Sequence, residues 1–406
     1  MVNKFVRTAS TRRLLATVAA IVVTIAGGTA IALAATGGGP VPKHESLALA
    51  IRQALSAKPV NGISADVTFT NHLIDTAEIL GSDPLLTGGS GHIWVSNDGR
   101  LRLELYGDNG DPEIVITHTS WWIYDPTLNS VYRGSIPAGG KSKDKQTESK
   151  SSGLPSVAQI QTELGRLAMH LNVSPAIPTD VGGQATYTVK LSSKHSSGLL
   201  GQLQLAWDAL KGVPLRFAVY ATGDSAPVLE LKATGVSYGG IPGSNFQIKP
   251  PSGAHLVKIA TPAGSASTSK RTKHTEHVTG LKAVAGRLPF KLSAPARLDG
   301  MPRQSASLLD MGGRHGALLV YGQYLGGIVV IEAPAAPNAT QKLTLSSGSG
   351  DHAAGISLPT VNVNGASGQE LDTALGTIVR FTSRGVSYTV LGAVKPGAAR
   401  AAARGL

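Results

Sequence analysis

The stretch HIWVSNDGRLRLELY, residues 92–106, reads as two strands joined by a tight turn. In its second half, Leu101, Leu103 and Leu105 alternate with Arg102 and Glu104. A strand points successive side chains to opposite faces, so the three leucines share one face and the charges take the other. Asn97-Asp98-Gly99 supplies the turn, because Asp-Gly readily adopts the positive φ of a hairpin. A sheet with one greasy and one polar face follows.

Further strand-like runs occupy residues 64–71, 113–117 and 121–124. Ahead of them, residues 45–57 place Leu47, Ile51, Ala54 and Leu55 on one helical face, and Lys58-Pro59 ends the pattern. Residues 139–153 contain no apolar side chain and predict an exposed loop. Residues 156–171 predict a second amphipathic helix, with Val157, Ile160, Leu164, Leu167 and Leu171 on its apolar face. Strands resume at 185–191, 201–207, 215–221 and 228–236. After a stretch rich in Ala, Gly, Ser, Thr and Lys, more strands are expected at 316–331, 377–382 and 387–391, then a short Ala/Arg helix.

Composition bounds the function. The 406 residues are 42% hydrophobic and only 15% charged, ample for packed cores. With no cysteine, a disulfide framework, a thiolate metal site, a cysteine nucleophile and a lipidated N-terminal cysteine are all excluded. The net charge of +12 lies at the ends. Residues 1–13 carry four basic side chains and no acid, residues 14–257 sum to −1, and residues 258–406 sum to +9. No arginine-rich helix or basic–aromatic interleaving accompanies this, so no nucleic-acid partner is expected.

Residues 14–35 hold 22 positions without a charge, enough to span roughly 33 Å as a helix. Lys4, Arg7, Arg12 and Arg13 precede them, which places the N-terminus in the cytoplasm and the body outside it. A cleavable signal peptide is the competing reading, since Ala32-Leu33-Ala34 before Ala35 is a small-residue cleavage pattern. Length favours the anchor; either way the expected location is the plasma membrane or beyond it.

The order of one helix, meandering strands, a second amphipathic helix and four more strands resembles the LolA/LolB lipoprotein carriers and their relative RseB. The run from Gly91 to Leu105 resembles that family's strand, Asp-Gly turn and basic-flanked strand. Trp121-Trp-Ile-Tyr-Asp-Pro126 followed by Val131-Tyr132-Arg133 is similar to its aromatic hairpin. The likeness covers about residues 45–257, and residues 289–392 resemble a small β-rich module found after such domains in Gram-positive envelope proteins. The implied fold class is α+β. It comprises a transmembrane helix, a curved antiparallel β half-barrel with packed helices, and a smaller β-rich α+β domain. The corresponding boundaries are 1–13 (basic tail), 14–36 (membrane segment), 43–257 (half-barrel), 258–288 (flexible basic linker) and 289–406 (C-terminal domain).

The resemblance implies an apolar cavity for acyl chains between sheet and helices. Leu101, Leu103, Leu105, Ile114 and Ile116 would line the sheet, and Ile160, Leu164 and Leu167 the lid helix. The plainer reading makes them ordinary core residues, since apolar alternation is the generic core signal. The implied partners are acyl lipid or lipoprotein, the plasma membrane and, on an RseB-like reading, a membrane regulatory protein such as an anti-sigma factor.

Catalytic motifs lack their context, so no enzyme, cofactor or metal is expected. Gly235-Val236-Ser237-Tyr238-Gly239 matches G-x-S-x-G, but the following Gly240-Ile241-Pro242-Gly243 cannot start the helix a nucleophile elbow requires. Residues 134–142 lack a glycine where a phosphate loop demands one. His274-Thr-Glu276-His277 has no third fixed ligand.

Overall fold

The computed structural model describes residues 39–74, 83–108, 110–136, 156–194, 198–258, 278–310, 315–322, 326–335 and 358–406. The membrane segment at 14–36, the polar loop at 139–153 and His274, Glu276 and His277 lie outside them. No helix among the described residues is long and apolar enough to cross a membrane.

The first unit opens with helix α1 (Leu47–Ser56), whose N-terminus is capped by the Ser46 hydroxyl accepting from the Leu49 amide. Strand β1 (Gly62–Asn71) and a one-turn helix α2 (Pro84–Thr87) follow. A meander of β2 (Gly88–Ser96), β3 (Leu101–Leu105), β4 (Glu113–Ile116), β5 (Ser120–Asp125) and β6 (Ser130–Ser135) comes next. Gly99 takes φ +88° in the β2–β3 turn, as the Asp-Gly signal requires. Helix α3 (Val157–Ala168) starts with a full capping box between Ser156 and Gln159. The remaining strands are β7 (Leu171–Val173), β8 (Ile177–Val181), β9 (Gln184–Ser193), β10 (Leu200–Asp208), β11 (Pro214–Ala221), β12 (Leu229–Tyr238) and β13 (His255–Lys258).

These thirteen strands form one sheet in the order β13-β6-β5-β4-β3-β2-β1-β12-β11-β10-β9-β7, with β8 also on β9. Two meanders are therefore stitched together by β1 against β12. All pairings are antiparallel except β13 on β6. Side chains from β3 and β4 share one buried cluster with Ala206, Val213 and Leu215 from the β10–β11 hairpin. Those strands are far apart along the sheet, so they meet only because the sheet curls into a half-barrel. The fold is mixed α+β, dominated by strands.

Among the described residues the second unit is first seen at residue 278, within the expected linker at 258–288. Thr279 bridges Ser307, and helix α4 (Leu281–Ala285) buries Val284 completely. Its strands are β14 (Arg297–Leu298), β15 (Met301–Asp310), β16 (His315–Tyr321), β17 (Ile328–Pro334), β18 (Thr360–Val363), β19 (Ala366–Thr373), β20 (Gly376–Ser383) and β21 (Val386–Gly392). They form an eight-stranded sheet, β14-β15-β16-β17-β21-β20-β19-β18. The single run expected at 316–331 is thus two strands. Asn364-Gly365 and Arg384-Gly385 each place two successive residues at positive φ, the geometry of two-residue hairpins. Helix α5 (Pro396–Arg404) packs through Ala399, Ala402 and Ala403, all fully buried, because alanine lets a helix approach a sheet closely. Backbone bonds from Leu199 N–H to Ala393 O (2.7 Å) and from Ala374 N–H to Leu73 O (2.9 Å) join the two units.

Candidate functional site

The expected lining residues fall into two separate places. Leu101, Leu103, Leu105 and Ile114 are buried together in the half-barrel core, and Ile116 packs at its margin. Leu103 is 0% exposed, so its face is filled by protein side chains rather than open to a ligand. On α3, Ile160 is buried and Leu164 packs half-buried into a second cluster, while Leu167 stands 39% exposed. Among the described residues the two sets pack into different clusters.

The second cluster is a layer under the helices. Leu47, Ala50, Ile51 and Ala54 of α1, with Leu164 of α3, rest on Tyr187, Val189 and Trp207 of β9 and β10. The Tyr187 and Trp207 rings lie 6.2 Å apart, tilted by 47°. The Tyr187 hydroxyl donates to Lys43 O at 2.7 Å. The Trp207 indole N–H is buried without a hydrogen-bond partner, and so is Glu45 Oε2 at the start of α1. A buried donor left unpaired is uncommon and costs about 1–3 kcal/mol. Above this layer the helix pair exposes Leu49 (38%), Leu55 (51%) and Met169 (62%) besides Leu167. These apolar side chains stand among exposed Gln159, Glu163 and Arg166 on the outer face of the helix pair.

A distinct open cleft of ≈ 460 Å³ lies by the β8–β12 strands, lined by His72, Thr179, Thr188, Arg216, Glu230 and Lys232 together with apolar groups such as Val181 and Pro227. Among its lining residues is the half-buried Arg216, whose Nε donates to Glu230 Oε1 at 2.6 Å, Nη1 to Gln204 Oε1 at 2.7 Å and Nη2 to the Tyr220 hydroxyl at 2.9 Å. Burial opposes the guanidinium charge, but Glu230 and Tyr220 beside it outweigh that and raise its pKa. Sequence reasoning missed this cleft. Arg216 and Glu230 are legible as polar members of alternating strands, but the register that joins them across β11 and β12 is not.

The remaining expectations can be placed. Ser237 of the G-x-S-x-G match lies inside β12, on extended backbone rather than on a strand-to-helix turn. Trp121 and Trp122 do diverge: Trp122 is buried with Val115 and Val131, whereas Trp121 lies beside Gly134, where a Cβ would fall 2.5 Å from the indole. No group of metal-capable side chains occurs among the described residues.

No family model matches the chain, and no curated protein matches it. Among solved structures, it is similar to MucB in complex with MucA(peri), at 15% identity over 88% of this chain and 94% of that one, with a TM-score of 0.38. A Pseudomonas aeruginosa MucA/MucB complex matches at 16% identity over 88% and 94%, TM-score 0.38. A LolA superfamily protein from Nitrosomonas europaea matches at 10% identity over 50% and 97%, TM-score 0.22.

Proposed function

We propose that this chain is a membrane-tethered, extracytoplasmic lipid- or lipoprotein-binding protein of the LolA-like type, and that the ligand enters beneath the α1–α3 lid. Binding makes no covalent bond. The observation that supports this reading most is the unpaired indole N–H of Trp207, buried directly under α1 in an otherwise apolar layer. A carbonyl from an acyl ester would satisfy that donor while its chain covers Tyr187, Val189 and Leu164.

Each buried methylene contributes about 0.8 kcal/mol, so ten of them contribute about 8 kcal/mol. Uncovering Leu47 and Ile51 of α1 and Leu164 of α3 costs roughly 1.5–3 kcal/mol for each side chain. The two are of similar size, so long acyl chains are favoured over short ones.

Native mass spectrometry with lipid extraction on residues 38–406 tests this. Acyl lipid should co-purify and be lost in Leu164→Gln/Leu167→Gln, with an unchanged far-UV spectrum showing that the half-buried Leu164 can be replaced without unfolding. Trp207→Phe should retain the chain with weaker affinity. An empty protein that ignores added phospholipids and lipopeptides would refute the reading.

A second reading is an RseB-like regulator that binds a membrane protein. The closed packing around Leu103 favours it, because a regulator needs no pre-formed cavity.

A further inference from the structure

Outside the layer and the cleft, one group of side chains is arranged for chemistry. Ser64 and Asp66 sit two residues apart on β1, so they share a face. His92 on β2 lies directly across from Asp66. Its ring reaches both: Nδ1 is 2.8 Å from Asp66 Oδ1, and Nε2 is 2.6 Å from Ser64 Oγ. A carboxylate only accepts, so Nδ1 carries the proton and Nε2 is left to accept from the serine hydroxyl. That is the tautomer a serine nucleophile needs.

We propose that Ser64, His92 and Asp66 form a nucleophilic site, on the polar face of the half-barrel, that accepts acyl groups from small activated carboxylic esters. The site is independent of lipid binding under the lid.

Three features hold the geometry. The His92 ring lies against Trp94, centroids 4.3 Å apart and tilted by 41°, and the Arg102 guanidinium covers Trp94 at 4.8 Å. Arg102 is itself fixed by Glu113 at 2.5 Å and Glu104 at 2.9 Å. Across β12, Asp66 faces Gly235, where a Cβ would sit only 3.2 Å from Oδ2. A glycine at that register leaves the carboxylate its place.

Residues that carry hydrogen-bond donors pair with the serine across both neighbouring strands. Ser64 pairs with Trp94 on one side and Ser237 on the other, and same-face cross-strand neighbours stand about 5 Å apart at Cβ. Neither the Trp94 indole N–H nor the Ser237 hydroxyl has a hydrogen-bond partner among the described residues. The site is shallow, with the Asp66 side chain 69% exposed, which suits small esters and slow turnover.

In the reaction, Ser64 Oγ bonds to the ester carbonyl carbon while its proton passes to His92 Nε2. The carbon–alkoxide bond breaks and the leaving alcohol takes that proton. Water, deprotonated by the same nitrogen, then releases the acid and restores Ser64.

The test uses the full chain with diisopropyl fluorophosphate, read by intact mass and peptide mapping, and with p-nitrophenyl acetate. One phosphoryl adduct on Ser64 is expected, with loss of fluoride. His92→Ala should slow labelling about a hundredfold, the usual contribution of a general base. Gly235→Leu should slow it by displacing Asp66, and Ser237→Ala should slow it by removing an oxyanion donor while the adduct stays on Ser64. Ser64→Ala should abolish both labelling and the acyl-enzyme, with an unchanged far-UV spectrum. No adduct, an adduct elsewhere, labelling indifferent to His92→Ala, or ester hydrolysis equal in wild type and Ser64→Ala would overturn the proposal.

Discussion

Replacing Arg216 by Ala is expected to destabilise the first unit by about 3–5 kcal/mol, the cost of stranding a buried charge. The stranded group is Glu230, which is 6% exposed and paired to Arg216 at 2.6 Å. Gln204 and Tyr220 lose their donor in the same step. The double change Arg216→Met/Glu230→Leu should recover most of the loss, because replacing both ions by apolar side chains removes the desolvation penalty. All four tryptophans (Trp94, Trp121, Trp122 and Trp207) belong to this unit, so urea unfolding followed by tryptophan fluorescence reports on it alone. A double variant no more stable than Arg216→Ala would show that the cost is lost packing rather than an orphaned charge.

The second unit should weaken as pH rises, opposite to the usual behaviour of a carboxylate. Glu332 on β17 is 0% exposed; its Oε2 accepts from the Ser293 amide at 3.0 Å and its Oε1 has no partner. Burial pushes its pKa from the ordinary 4.5 up to about 7, the Ser293 bond only partly opposing this. A raised carboxyl pKa means that the folded state binds the proton more tightly than the unfolded state. Stability is therefore full below about pH 4.5 and is lost progressively until pH passes about 7. At about 1.4 kcal/mol per pKa unit, the loss is of order 3 kcal/mol by pH 8. Glu332→Gln should flatten the dependence and raise the melting temperature at pH 8. Burial raises Tyr321, with Arg303 beside it opposing and Glu332 adding to the rise, and burial raises Tyr388 likewise, so neither shares this carboxyl's window. Calorimetry of the second unit between pH 5 and 8 checks this, and a melting temperature that climbs with pH would contradict it.

Much of the half-barrel was legible because its apolar strands alternate cleanly. Leu101, Leu103 and Leu105 lie on one buried face, and the Asp-Gly turn sits at residue 99 as read. Strands β15 (MPRQSASLLD) and β19 (ASGQELDT) were not legible: their residues have weak strand preference, and pairing with neighbours decides their state. Strands β7, β8 and β13 escaped for a related reason, being short edge segments held by one partner each. The lid helix was found from its period, yet the period could not tell which cluster Leu164 would join. Sites assembled by register escaped entirely. Ser64, Asp66 and His92 have no local motif, because their meeting depends on how β1 aligns with β2.

Amide hydrogen exchange, with and without a short-chain phospholipid, tests the central claim most directly. If the ligand enters beneath the lid, α3 exchanges earlier than β3 in the free protein. Lipid should then alter protection across α1, α3 and the Tyr187–Trp207 layer, leaving the second sheet unchanged. Protection that stays the same under the helices, or that changes only in the second sheet, would contradict the account.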